Sequence, residues 1–415
     1  MNETLLPLAG NSRKSISPGK NIVQAPPVDG LQEYTGTWDT PQIVHLLKRT
    51  LFGSKFQDVQ YFKGRTMQQA VNELLQPDAA PSTYPLNNYS IGGYTDPSGV
   101  PLWQTWINNG ITLADKELNE KRIDSLKTWW LGQALRPSRS IHEKMAIFWH
   151  NHFAIDTSIN SDVIRARFWY DHYLTLRQHA LGNFKSLVKG ITLDPAMLYF
   201  LNGASNVKGS PNENYGRELQ ELYTAGKGVN SKYTEDDVKA AALVLTGHTV
   251  HPVTFAYFFD AGKHDAANKQ FSAFYGNRVV TGFNGPAGAA ELDALLDMIF
   301  AQEEISKHIC RKIYRHFIYY KIDDDIEQTI IAPLAQVFRN NNFDIQPVLS
   351  TLFKSKHFYD MVYSSACIIK SPLDFTIDLC NEFNVVMPNA SDSEATYAVW
   401  ESIRYEASEM QQELG

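Results

Sequence analysis

Residues 118–153 read LNEKRIDSLKTWWLGQALRPSRSIHEKMAIFWHNHF. Their apolar side chains return every three or four residues, as they do on one face of an amphipathic helix. Pro137 interrupts this pattern, and the spacing of Ser140 and Glu143 is typical of a capping box that opens the next helix. The stretch therefore predicts two consecutive helices, the first over 113–135 and the second starting at Ser140.

The helical pattern continues on both sides of this pair. Asp39 or Thr40 is expected to cap a helix that has Pro41 at its first position and ends at Gly53. Further helices are predicted at about 67–75, 160–180, 183–191, 212–225, 235–246, 288–301, 303–320, 326–341 and 345–356, and after Pro372. The period changes to that of β structure at 253–259, 269–274 and 278–280. The predicted fold is mainly α, with a small antiparallel β insertion around 253–281.

The domain organisation follows from the same patterns. Residues 1–35 are rich in Pro, Gly, Ser and Asn and are predicted to be a disordered arm. Residues 36–415 are predicted to form a single large helical domain with a β flap at about 250–285. The first thirty residues have no signal-peptide pattern, and no apolar run approaches the ~20 residues that cross a bilayer. A soluble, cytoplasmic chain without a transmembrane segment is therefore expected.

Composition excludes several classes of function. The 415 residues include 38 basic and 45 acidic side chains, and a net charge of -7 argues against nucleic-acid binding. Three widely spaced cysteines (Cys310, Cys367 and Cys380) form no CxxC pair, which argues against a structural zinc site or a disulfide framework. The sequence has no Walker loop, dinucleotide fingerprint, GxSxG elbow or HExxH motif.

The densest polar segment is residues 211–226, PNENYGRELQELYTAG. At helical spacing Glu218 and Glu221 share a face, and Arg217 stacks between Glu213 and Glu221. Two carboxylates one turn apart can hold a divalent cation, or one of them can act as a general acid with a raised pKa. The alternative is a ladder of ion pairs that fixes helix packing. Both interpretations stay open at this point.

A second candidate is the pair His150 and His152. On a strand the two imidazoles would face one side, but on a helix residues i and i+2 point about 200° apart, so one ion cannot take both. Shared metal binding therefore requires the helix to end near Trp149. The alternative is that each histidine is hydrogen-bonded between aromatic walls.

Two weaker candidates follow later in the chain. Adjacent His264 and Asp265, with Lys269 close behind, can supply a base or a metal ligand, or can fix a turn through bonds to the backbone. A short basic helical face is predicted to be solvated surface, and its members are Arg311, Lys312, Arg315 and His316.

Several of these stretches carry a family resemblance. The longest are FWHNHFA at 148–154, DPAML at 194–198 and PNENYGREL at 211–219. Shorter matches are His45-Leu-Leu-x-Arg49 with Phe52-Gly53, Asn183-Phe184, Glu221-Leu-Tyr-Thr224, Tyr233-Thr-Glu235 with Asp237-Val238, Leu245-Thr-Gly247, His264-Asp265 with Lys269, and Lys370-Ser-Pro372. On these motifs, from about residue 40 to 375, the chain resembles the bacterial "domain of unknown function 1800" family.

The resemblance implies no established activity. It implies a bacterial protein of a family that is often exported and often neighboured by a second, sulfatase-like family. His248 stands where the family usually has Trp, which argues against His248 as a ligand. The chain ends at Leu414-Gly415, before a Pro-Pro-Asn-Val-x-Gly-Trp stretch that is usual in the family, so a truncated form is expected.

Two functions are predicted from these residues. The first is a binding or assembly protein of the envelope, in which the polar residues form a buried network and the partner is an envelope or neighbouring-operon protein. The alternative is a metal-assisted hydrolase with a divalent cation as cofactor. Its catalytic residues would be Glu218, Arg217, His264 and Asp265, and its metal ligands would be His150, His152, Glu218 and Glu221.

Overall fold

The computed structural model describes residues 30–109, 115–136, 138–156, 165–360, 368–412 and 414. These residues form a mainly α-helical structure with two small antiparallel sheets, so the predicted fold class is confirmed. The helices of the first half are α1 (Thr40–Thr50), α2 (Phe56–Lys63), α3 (Met67–Leu74), α4 (Lys116–Ala134), α5 (His142–His152), α6 (Ala166–Gln178), α7 (Phe184–Thr192) and α8 (Pro195–Phe200).

The second half contains two helices that change their winding. A π-helix at Leu219–Thr224 continues α9 (Asn214–Glu218), and a second at Glu327–Ile331 joins α13 (Asp324–Ile326) to α14 (Ala332–Asn340). The other helices are α10 (Glu235–Val244), α11 (Glu291–Phe300), α12 (Glu303–Phe317), α15 (Ile345–Phe353), α16 (Pro372–Glu382) and α17 (Ser393–Glu409). Short 3-10 turns lie at Gly203–Ser205, Ala273–Tyr275 and Gly285–Ala290.

The β insertion is two separate hairpin-like pairs. Strand β1 (His248–Val250) pairs with β2 (Tyr257–Phe259), so that His248 lies opposite Phe259. Strand β3 (Lys269–Gln270) pairs with β4 (Val279–Val280). The insertion therefore begins at residue 248, five residues before its predicted start, because residues 251–256 form the turn and not a strand.

Local sequence explains most of the helix starts. Asp39 and Thr234 each cap a helix, as predicted, and the structure shows each of them in a complete capping box. The box predicted at Ser140 does not form: α5 begins at His142 without a side-chain cap, since Glu143 turns inward to Trp130. The sequence also gave no prediction for α2, α8 or α17.

One apolar core joins the helices, and aromatic rings fill much of it. Trp149 of α5 is fully buried, its ring lies 5.0 Å from that of Phe184, and its Nε1 donates to Ala180 O. Because α5 crosses this core, side chains on its different faces reach different surroundings. This placement decides what His150 and His152 can contact.

The amino-terminal end of the described structure is tied to the body. Tyr34 N donates to Lys354 O, and Lys356 N donates to Gln32 O, both at 2.8 Å. The last residues of the predicted arm therefore pack on the body, while residues 1–29 lie outside the described residues, as does Cys367. In the described part of the chain no helix combines the length and the apolar character that crossing a membrane requires.

Candidate functional site

The predicted acidic segment forms α9 and the π-helix after it, and its charged side chains face two directions. Arg217 donates to both carboxylate oxygens of Glu235 at 2.8 and 2.7 Å, and it lies 3.4 Å from Glu213. Glu221 pairs instead with Lys227. The predicted ladder thus forms only between Arg217 and Glu213, and α10 supplies the stronger partner.

Glu218 is the carboxylate of this segment that keeps a free oxygen. Its Oε2 is buried and has no hydrogen-bond partner within the described residues. Burial, followed by the negative charge of Glu221, raises the pKa of Glu218. A raised pKa suits a proton donor. The geometry brings Glu218 together with Glu221, as predicted, but on a partly exposed helix face.

His150 and His152 point to different regions because α5 runs unbroken through both. His152 Nε2 donates to Tyr223 O at 3.1 Å, at the end of the π-helix. The ring of His150 lies 5.0 Å from that of Trp130 in an edge contact. Burial lowers the pKa of His150 to about 3 and that of His152 well below its ordinary value. The condition for shared metal binding, a helix ending near Trp149, is not met.

His264 and Asp265 belong to the base of the β insertion. Both ring nitrogens of His264 are engaged, Nδ1 with Thr246 O at 2.8 Å and Nε2 with Glu291 Oε1 at 2.9 Å. Lys269 Nζ lies 2.5 Å from Glu291 Oε2, so the three side chains form a buried triad. Asp265 Oδ1 accepts from Ala267 N and fixes a turn.

The predicted site residues are therefore dispersed. Across residues 30–109, 115–136, 138–156, 165–360 and 368–412, no group of three or more His, Cys, Asp or Glu side chains is placed to share a metal ion. The buried polar network of the first hypothesis has several examples, including the triad at Glu291. The catalytic and metal roles of the individual residues stay predictions.

A different site emerges between α1, α5, α12 and the start of α16. These elements enclose a cavity of about 530 Å³. Its described lining has a single carboxylate, that of Asp374, against five basic side chains. The basic residues are Lys48, Arg49, Lys144, Arg315 and Lys370. We call this space the cationic cavity.

Ion pairs to α16 hold three of these basic residues in place. The pairs are Lys144–Asp374 at 3.2 Å, Lys370–Asp378 at 2.7 Å and Lys48–Glu382 at 2.9 Å. Arg315 is exposed and forms no ion pair with any residue that the structure describes. The cavity is therefore suited to negative charge.

Two neutral histidines belong to the same lining. Burial, with a further contribution from nearby positive charge, lowers the pKa of His45 and of His316 to about 4. His45 Nε2 donates to Phe358 O at 2.9 Å. The Nε2 of His316 is buried and finds no hydrogen-bond partner in the described parts of the chain. His316 thus leaves one polar atom for a ligand.

A second cavity, of about 560 Å³, differs from the cationic cavity in the charges of its lining. It lies on the other side of Phe52 and is lined by three basic and three acidic residues, among them the ion pair Arg139–Asp58 at 2.8 Å. Its charges balance. Of these two cavities, only the cationic cavity has a described lining in which basic side chains outnumber acidic ones.

Sequence reasoning missed the cationic cavity because four distant segments build it. The predicted solvated basic face on α12 holds for Arg315, which is exposed at the cavity rim, whereas Arg311 is held between Glu304 and Glu327 at 2.6 Å each and His316 lines the cavity. One signal was present. The matched motifs at His45–Arg49, Phe52 and Lys370-Ser371 all contribute to the lining.

Comparison with known proteins gives one match. A family model described as "Protein of unknown function (DUF1800)" covers residues 45–414, nearly the whole chain. Neither the curated proteins nor the solved structures gave a match. Most of the residues that line the cationic cavity, from His45 to Asp374, lie within the matched range.

Proposed function

The chain belongs to the DUF1800 family of proteins of unknown function, and we propose that it is a binding protein for an anionic group. The observation that carries the proposal is the lining of the cationic cavity, five basic side chains against one carboxylate. Arginine and lysine side chains are the donors that bind phosphate, sulfate or carboxylate groups.

The way in which the charges are held supports binding more than simple packing. Lys144 is 8% exposed, and its Nζ also donates to Leu51 O at 2.9 Å, so its position is fixed before any ligand arrives. Arg315 at the rim has no carboxylate partner among the described residues. The exposed guanidinium of Arg315, which has no ion-pair partner among the described residues, is the donor that an anion would meet at the rim.

This proposal is one form of the binding-protein interpretation. The envelope setting and a neighbouring-operon partner stay predictions that rest on the family resemblance. Metal-assisted hydrolysis at Glu218 also stays a prediction. It has one favourable feature, the raised pKa of Glu218, and lacks a described set of ligands around it.

Inorganic phosphate is the probe that tests the proposal. We expect it to bind with one site per chain at low ionic strength and to raise the melting temperature, because the cavity charges are unscreened there. Arg315→Ala is expected to weaken phosphate binding about tenfold, the effect of one charge-assisted hydrogen bond. Isothermal titration calorimetry measures both quantities.

Lys307→Ala is the matched control. Lys307 also lies on α12, but it pairs with Glu303 at 2.7 Å and is absent from the cavity lining. Its loss is expected to change the affinity less than twofold. Equal losses in the two variants, or no binding of phosphate, sulfate or acetate at low salt, would show that the proposal is wrong.

A further inference from the structure

The cationic cavity has a second character besides its charge. Apolar side chains make up much of its wall, and the described ones are Pro41, Val44, Phe52, Ile147, Ile368, Ile369 and Leu373. A small inorganic anion needs no such wall. Alternating basic and apolar lining fits a ligand that carries a charged head on an apolar body.

Ile369 marks where this apolar wall reaches the surface. It lines the cavity, yet it is 96% exposed, so it lies at the mouth. Its neighbours in the chain are Ile368 inside the lining and Lys370, which pairs with Asp378. An apolar path therefore leads out of the cavity beside a positive charge.

In α16, which follows in the chain, the acidic side chains face the protein body. Asp374, Asp378 and Glu382, spaced by four residues, face the body and pair with three lysines. The adjacent stripe, also spaced by four, is apolar and exposed, and consists of Phe375, Leu379 and Phe383 at 43%, 38% and 77% exposure. A surface helix normally has the opposite arrangement.

This stripe begins close to the cavity in the chain, since Phe375 follows Ile369 by six residues. Phe375 lies one turn from the amino terminus of α16, which borders the cavity. From there to Phe383 the helix rises about 12 Å at 1.5 Å per residue. Val386, 86% exposed, extends the apolar surface beyond the helix end. Contiguous exposed apolar surface of this kind marks a binding site.

Taking the proposed anion site as the starting point, we infer that the ligand is an anionic amphiphile. Its phosphate or carboxylate head lies in the cationic cavity, and its alkyl chain leaves over Ile369 and lies along the Phe375–Phe383 stripe. Charge complementarity at the head selects this occupant over an uncharged apolar partner. One molecule binds per chain.

Decyl phosphate below its micellar concentration, methyl phosphate and decanol separate the contributions of head and chain. We expect decyl phosphate to bind about 100-fold more tightly than methyl phosphate, because its chain buries apolar area on the stripe. Arg315→Ala is expected to weaken both phosphates. The double variant Ile369→Ser/Phe383→Ser is expected to bind decyl phosphate only as tightly as methyl phosphate.

The control variant is Val229→Ser, which removes an apolar side chain that is 90% exposed and lies outside the cavity lining. It is expected to leave both affinities unchanged. All substituted residues here are largely exposed, so the variants are expected to fold, and their melting temperatures verify this.

Each other outcome overturns the inference. Equal affinities for decyl phosphate and methyl phosphate would agree with the anion site but would contradict an amphiphilic ligand. Decanol binding as tightly as decyl phosphate would show an apolar face without a head-group site. Binding of anionic vesicles without binding of monomeric decyl phosphate would assign the stripe to a membrane surface. A dimer that the double variant converts to a monomer would assign the stripe to a second copy of the chain.

Discussion

At the residue scale, Glu291 shows how a charged side chain is kept in the core. It is fully buried, and its carboxylate accepts from three donors, which are His264 Nε2, Phe283 N at 2.7 Å and Lys269 Nζ. Because His264 uses its other nitrogen on Thr246 O, neither ring nitrogen is free. The contacts therefore favour a structural role of this triad in anchoring the β insertion to α11.

Glu291→Gln is expected to destabilise the protein by about 3–5 kcal/mol, because removing one member of a buried ion group leaves Lys269 uncompensated. Urea denaturation at pH 7 measures this change. Glu303→Gln is the control, since Glu303 is exposed and its pair with Lys307 is worth less than about 1 kcal/mol. Similar effects in the two variants would refute the buried charge as the cause.

The triad also shows what residue patterns can and cannot predict. His264, Asp265 and Lys269 stand out in the sequence because they are polar and close together. Their partner Glu291 lies 22 residues beyond Lys269 and has no signal of its own, since it is one of several acidic residues. As long as the partner is unknown, the sequence does not show whether the ring nitrogens of a histidine are hydrogen-bonded or free.

At the element scale, prediction succeeded where the cause is local. The starts of α1 and α10 follow from Asp39 and Thr234, because a cap is a contact between residues three apart. Ser140 and Glu143 have the same spacing, but Trp130, Tyr173 and Arg177 all bind Glu143. Tertiary partners overrode the local preference there. The π-helix at 219–224 was likewise not predicted, because no local pattern separates it from an α-helix.

The packing of α17 on α4 provides a test at this scale. A Cβ at Gly132 would lie 2.6 Å from three atoms of the Trp400 indole. Gly132→Ala is therefore expected to cost about 1–3 kcal/mol, because the indole must shift with α17. Thermal or urea unfolding measures this cost.

Gly228→Ala is the corresponding control, since its nearest neighbour would lie 3.8 Å from the new Cβ. That substitution is expected to change the free energy of unfolding by less than about 0.5 kcal/mol. A loss at Gly228 as large as that at Gly132 would mean that the contact with Trp400 is not responsible.

At the scale of the whole molecule, the cationic cavity depends on contacts that no sequence window contains. Its lining comes from residues 41–52, 144–151, 315–316 and 368–374. Each segment alone is an ordinary amphipathic helix or helix end with a few basic residues. The fold class could be predicted because helical periodicity is local, whereas the site required the three-dimensional arrangement of the helices.

Buried histidines predict how stability depends on pH. Burial lowers the pKa of His45 and of His248 to about 4, and that of His150 to about 3. The unfolded chain takes up these protons near pH 6.5, so the stabilisation is complete above that pH and is lost as the pH falls toward 4. The expected loss is roughly 2 kcal/mol for each histidine between pH 7 and pH 5.

Urea denaturation across pH 5–8 measures this dependence. His248→Gln is expected to reduce the slope by the contribution of one proton. Stability that rises on acidification, or a slope that His248→Gln does not alter, would contradict the prediction.

The pairing of α1 with the far end of the chain has a consequence during protein synthesis. His45 contacts Phe358, and Asn381 binds Phe52 O, across 313 and 329 residues. A ribosome adds about 5–20 residues per second, so α1 waits roughly 15–60 seconds for these partners. During that interval the last third of the chain is not yet available to cover the apolar side chains of Ile43, Leu46 and Leu47. We expect the nascent chain to be a client of ribosome-associated chaperones, and ligand-binding competence to be acquired among its last folding events.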